Sequence, residues 1–141
     1  MGRILAIDYG QKRIGIAVSD PLKMIAGGLT TVGPHEIYKF LEEYFRRENV
    51  ECVVLGLPKQ MNNQPSEAFK FVKEFETAFR RKFPDKKMVL EDERFTSKLA
   101  MDAMIQGGMK KSERRNKENI DRISAVILLQ SYMERQSNVG K

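Results

Sequence analysis

Ile4-Leu5-Ala6-Ile7-Asp8-Tyr9-Gly10 is an apolar run that delivers one carboxylate at its end and then turns on a glycine. An apolar run of this length, bounded by a turn residue, predicts a buried strand. A charge at the tip of such a strand is costly to desolvate unless something pairs with it. A metal ion is an economical partner, and a metal requires further oxygen ligands. The reading therefore turns on which other carboxylates can meet Asp8.

The chain has 141 residues, 41% hydrophobic and 31% charged, which predicts one globular domain spanning residues 1–141. The formal net charge of +6 favours polyanionic partners. The single cysteine, Cys52, excludes an intramolecular disulfide, and its apolar surroundings suit a small core residue in a reducing compartment. No run reaches the length of a membrane span. Asp8 comes too early for a secretory signal, and Ala6 stands where a myristoylation signal wants Ser or Thr. The expectation is a cytoplasmic protein without membrane partners.

Outward from the first strand, Gly10-Gln11-Lys12 predicts a tight turn, with Gly10 free to take a positive φ. Residues 13–19 predict a second strand with Ile14, Ile16 and Val18 on one face. Asp20-Pro21 ends it. Residues 24–32 predict a third strand, bent or bulged at Gly27-Gly28. Short turns between these three imply an antiparallel meander. Pro34 suits a first helical residue, and Ile37, Phe40, Leu41, Tyr44 and Phe45 predict an amphipathic helix over 35–48. Residues 51–55 predict a buried strand reached through that helix, hence parallel to its partner. A polar loop over 59–64 leads to a helix marked by Ala68, Phe71, Val72, Phe75 and Phe79, which stops before Pro84. A fifth strand over 87–90 runs into Glu91-Asp92-Glu93-Arg94. Thr96 predicts the N-cap of a helix over 97–106, closed by Gly107-Gly108. The last helix is predicted from about Ile120 to Arg135, with a frayed tail after Gln136. The pattern β-β-β-α-β-α-β-α-α makes an α/β fold, a mixed five-stranded sheet flanked by helices.

Three acidic places stand out in this frame. Asp8 ends the first strand, Glu93 follows the fifth with Asp92 beside it, and Asp121 opens the last helix. Helical spacing sets Asp121 on the stripe of Ala125, Leu128 and Tyr132, an apolar stripe. If the first and fifth strands end on one side of the sheet near that helix, three carboxylates converge. Such an oxygen-rich set is what Mg²⁺ or Mn²⁺ prefers. Two ions ~4 Å apart clamp a phosphodiester, one activating water and one stabilising the leaving oxygen. Each acid also has an ordinary role: Asp8 as a turn former, Asp121 as a partner of its helix dipole, and residues 91–94 as a solvated turn with a local ion pair.

Arg13 and Arg94 are candidates to hold a phosphate, since a guanidinium fork matches its oxygens; a salt bridge to nearby acids is the alternative. Residues 110–117 carry five cations in eight, and Lys110, Lys111, Arg114 and Arg115 suit contacts to a nucleic-acid backbone. Thr96 suits helix capping better than phosphate binding. A second basic group, Arg80, Arg81, Lys82, Lys86 and Lys87, fits ordinary helix-end surface, and His35 carries no assigned chemistry.

Ile7-Asp8-Tyr9-Gly10 with Lys12-Arg13-Ile14-Gly15-Ile16-Ala17, then Gly56-Leu57-Pro58, Asp92-Glu93-Arg94-Phe95-Thr96-Ser97, and Ile120-Asp121 with Ser124-Ala125 and Ile127-Leu128-Leu129-Gln130, resemble the bacterial YqgF (RuvX) family. That family is described as Holliday-junction-resolvase-like proteins and as pre-16S rRNA nucleases. The resemblance spans Arg3 to about Arg135 and implies a ribonuclease-H-like fold. It implies a metal-dependent endonuclease that processes the 5′ side of pre-16S rRNA, or acts on branched DNA, leaving a 5′-phosphate and a 3′-hydroxyl. The family's acidic positions fall on Asp8, Glu93 and Asp121, with Asp92 open as the middle acid. Many ribonuclease-H-like nucleases carry that acid after the fourth strand, where this chain has Gly56-Leu57-Pro58. The loop after Pro58 has Asn62-Asn63 in place of the family's usual glycine turn, and Ser124 replaces a usual alanine.

Two other classes compete. A non-catalytic nucleic-acid-binding module of the same fold would keep its cellular role without Asp8 or Asp121. A phosphotransferase of the sugar-kinase and actin type also turns on Asp-x-Gly, but it encloses its nucleotide between two such domains. The expected partner is nucleic acid, either structured RNA precursor or branched DNA, met by a monomer or a homodimer.

Overall fold

The computed structural model describes residues 2–10, 12–57, 67–92 and 117–139. The first strand, β1 (Arg3–Tyr9), lies in the middle of a five-stranded sheet. β2 (Ile14–Ser19) and β3 (Ala26–Val32) complete the antiparallel meander. After α1 (Ile37–Arg47), β4 (Val50–Leu57) returns beside β1 and parallel to it. After α2 (Glu67–Lys82), β5 (Lys87–Asp92) pairs parallel to β4. α3 (Lys117–Val139) is the last described element. The order across the sheet is β3-β2-β1-β4-β5, the mixed arrangement expected from the sequence.

Alternation along the strands divides the core in two. Leu5 and Ile7 share one face with Ile14, Ile16, Val53 and Leu55, and α1 and α2 cover it with Ile37, Leu41, Tyr44, Val72, Phe75 and Phe79. These helical residues recur every three to four positions, which puts them on one stripe. Ile4 and Ala6 point the other way, with Ala17, Cys52 and Val54, and meet Ala125, Leu128, Leu129 and Tyr132 of α3. Alanines on both sides of that contact let the helix backbone approach the sheet closely. Burying each large aliphatic side chain contributes about 1.5–3 kcal/mol, so the double coverage holds β1 firmly.

Several boundaries differ from expectation for physical reasons. Gly10 does not adopt a left-handed backbone; it is needed because a Cβ there would lie 2.5 Å from the carbonyl oxygen of Arg13. Pro34 sits in a turn closed by Glu36 N–H donating to Gly33 O, and α1 starts at Ile37. The third strand does bulge: pairing with β2 shifts between Thr30 and Gly28. β5 continues through Asp92, two residues beyond its apolar run. α3 begins at Lys117, which the sequence placed in the basic loop, and stays helical to Val139. Asn116 is a favourable capping type, and Gly140, not Gln136, is the first residue favouring a stop. The predicted loop over 59–64, the helix over 97–106 and the rest of the basic loop lie outside the described residues.

Candidate active site

Because β1, β4 and β5 run parallel, their C-terminal ends share one edge of the sheet. Asp8 stands at this edge, partly exposed, and alternation from Ile4 and Ala6 gives it the α3 face. Across the β1–β2 pairing it meets Gly15. On the other side, Ile7 pairs with Leu55, so the next residue of β4 is Gly56, which pairs in turn with Glu91 of β5. Asp8 thus has a glycine on each side and no neighbouring side chain in its own row. Partly exposed oxygen donors suit a hard, hydrated cation. The sequence reading used both glycines as family markers and missed that they flank the acid; pairing register supplies that, and register is not visible along one strand.

The alternative of a solvated turn over 91–94 does not hold for Glu91. It lies within β5 and is only 4% exposed. Its carboxylate is ion-paired with Arg135 of α3. The alternation Met88, Val89, Leu90, Glu91 carried the signal, since Met88 and Leu90 pack under α1 and α2 while Val89 packs toward α3. Nearby, Cys52 Sγ lies 3.7 Å from Tyr132 Oη. Burial, then the hydrogen bond and charge of Cys52, push the Tyr132 phenol up to about 12. Cys52 is therefore the core residue the sequence predicted.

Asp92 pairs with Leu57, whose side chain packs against the α1–α2 cluster, so its register is that of the face opposite Asp8. Arg13 precedes Ile14, the partner of Tyr9, and so stands at the same end as Asp8. Asp121 lies on the second turn of α3, four residues before buried Ala125; its side chain is outside the described set. Glu93, Arg94, Lys110, Lys111, Arg114 and Arg115 lie outside the described residues. Among the described residues, no three of His, Cys, Asp and Glu form a metal-binding group.

A protein of Flavobacterium johnsoniae named "Putative pre-16S rRNA nuclease" is 53% identical over 133 residues, covering 94% of this chain and 96% of that one. A Bacteroides fragilis protein of the same name is 52% identical over 134 residues, covering 95% and 97%. Among solved structures, Thermus thermophilus RuvC in complex with a Holliday junction substrate superposes with a TM-score of 0.55 at 19% identity, covering 96% of both chains. That likeness, with the observed strand order, identifies the ribonuclease-H-like fold the sequence predicted. The family model described as RuvX, Holliday junction resolvase, matches residues 2–135, and the chain belongs to that family.

Proposed function

We propose that this protein is a metal-dependent endonuclease that hydrolyses phosphodiester bonds in the 5′ processing of pre-16S rRNA, in the cytoplasm. The observation that carries the reading is Asp8, held partly exposed between two glycine positions at the shared end of three parallel strands. RNA is preferred over branched DNA because relatives sharing about half their residues carry the pre-16S rRNA name, whereas RuvC is distant at 19% identity.

Asp8, Glu93 and Asp121 would hold Mg²⁺ or Mn²⁺. When bound, such ions supply Lewis-acid activation of water and neutralise charge on the scissile phosphate. The register of Asp92 with Leu57 is that of the face opposite Asp8, which argues against Asp92 as the middle acid. Arg13 and Arg94 would orient the phosphate through paired N–H donors, and Lys110, Lys111, Arg114 and Arg115 would grip the flanking backbone.

The test is cleavage of a pre-16S 5′ leader and a four-way DNA junction, each with Mg²⁺, Mn²⁺ or EDTA. Cutting of the RNA that needs the metal and falls in Asp8→Ala by more than the ~10–100-fold typical of outer-sphere residues is expected. Preference for the junction would reassign the substrate. Binding of either without cutting would leave a non-catalytic module, and cutting that survives Asp8→Ala would place the chemistry elsewhere.

A further inference from the structure

The turn between β2 and β3 carries three large apolar side chains into solvent: Leu22, Met24 and Ile25 are 62%, 75% and 71% exposed. The turn is nonetheless built. Asp20 Oδ1 accepts from the N–H groups of Met24 and Ile25, at 2.7 and 2.8 Å. Lys23 N–H donates to Asp20 O, and Asp20 N–H to Ile25 O. Lys23 takes a left-handed φ of 59°, and its ammonium is ion-paired with Glu51. Those main-chain donors, Ile25 first, hold the Asp20 carboxyl below its ordinary range. Presenting apolar groups on a turn locked in this way costs little further entropy when something docks.

The same turn opens onto a strand edge that no other described strand pairs with. β3 is the last strand on its side of the sheet. Its bulge at Leu29 leaves Ala26–Gly28 as the flat part. Gly27 has an ordinary φ, is exposed, and a Cβ on it would meet nothing within 4 Å. The open space beside Gly27 leaves room for another backbone to approach the strand edge. Edge strands normally carry Lys, Pro or charge against such approach. A cleft of about 430 Å³ lined by Met24, Ile25, Ala26, Gln130, Met133 and Glu134 continues the surface onto α3.

We infer that this surface pairs with the same surface of a second copy, β3 against β3 and antiparallel, joining two sheets into one. Antiparallel pairing of a strand with itself is twofold and therefore closed. The turn exposes roughly 400 Å² of apolar surface, the size at which patches mark interaction sites. Counted on both copies, that is about half of a standard ~1,600 Å² interface, and the strand edges and clefts supply the remainder. The patch is apolar and includes Glu134, which suits a protein surface and not a phosphate backbone. It lies at the end of the sheet remote from Asp8, because the turn follows Ser19 whereas Asp8 pairs with Gly15. The pairing is independent of the chemistry at Asp8, and the two Asp8 edges point in opposite directions.

Light scattering with sedimentation, from low to high micromolar protein and at about 0.1 and 0.5 M salt, tests this. The wild type should double its mass with concentration. Each copy carries +6, so screening over about 3–10 Å should tighten the dimer at higher salt. Met24→Glu and Gly27→Lys should each weaken association at least tenfold, with unchanged circular dichroism and unchanged nuclease activity. A Cβ at Gly27 would meet nothing within 4 Å among the described residues, and the unchanged circular dichroism checks that the lysine is accommodated. A wild type monomeric throughout overturns the pairing, as does a dimer that survives both substitutions or that loosens with salt.

Discussion

Gly10 and Gly15 do different work five residues apart. At Gly10 the obstacle is the Arg13 carbonyl, a backbone atom that cannot swing away. Gly10→Ala should therefore destabilise the protein by about 1–3 kcal/mol, read as a lower denaturant midpoint at unchanged slope. Gly15 faces Asp8. If Asp8 holds the metal as proposed, Gly15→Ala should cut cleavage by about 10–100-fold, beyond any change in the unfolding midpoint, with a higher metal concentration at half-activity. Asp8 was legible in the sequence because an acid closing so apolar a strand is conspicuous. Its glycine neighbours and buried Glu91 were not, because each depends on which residue of another strand lies opposite.

At the scale of elements, α3 alone covers the second face of the sheet among the described residues. Leu128 is fully buried in that contact. Leu128→Ala should cost about 2–5 kcal/mol in equilibrium unfolding, with cleavage falling alongside stability, since α3 also carries Asp121. All five strands, the first two helices and the last helix were legible from periodicity. Their ends were less so. Glu91 and Asp92 break the apolar run of β5 while the ladder with β4 continues, so hydrogen bonding extends the strand past its hydrophobic signal. Lys117 joins α3 although its composition belongs to a basic loop and its charge is unfavourable at a helix N-terminus, because a helix start is not set by apolar spacing.

Across the whole molecule, all four tyrosines share one perturbation. Burial raises the phenol pKa of Tyr9, Tyr38, Tyr44 and Tyr132, the last to about 12. The unfolded chain then loses phenol protons near pH 10 while the folded chain keeps them. Their contribution is complete below about pH 10 and is lost as pH rises through the folded values. For Tyr132, 5% exposed, the loss is on the order of 2 kcal/mol. Phenolate absorbance should rise later in native than in denatured protein, and denaturant melts should weaken from pH 9 to pH 11. An absorbance rise that coincides in the two states would refute the shift.

The central position of β1 has a consequence for how the chain is born. β1 is translated before the other four strands, and the meander with β2 and β3 is complete once Val32 has emerged. The other flank of β1 has no partner until β4 arrives, ending at Leu57. At about 5–20 residues per second, the innermost strand of the finished protein waits on the nascent chain for seconds with its pairing edge open. The strand most deeply enclosed at the end is the one most open to chaperones, or to a neighbouring ribosome's product, at the beginning.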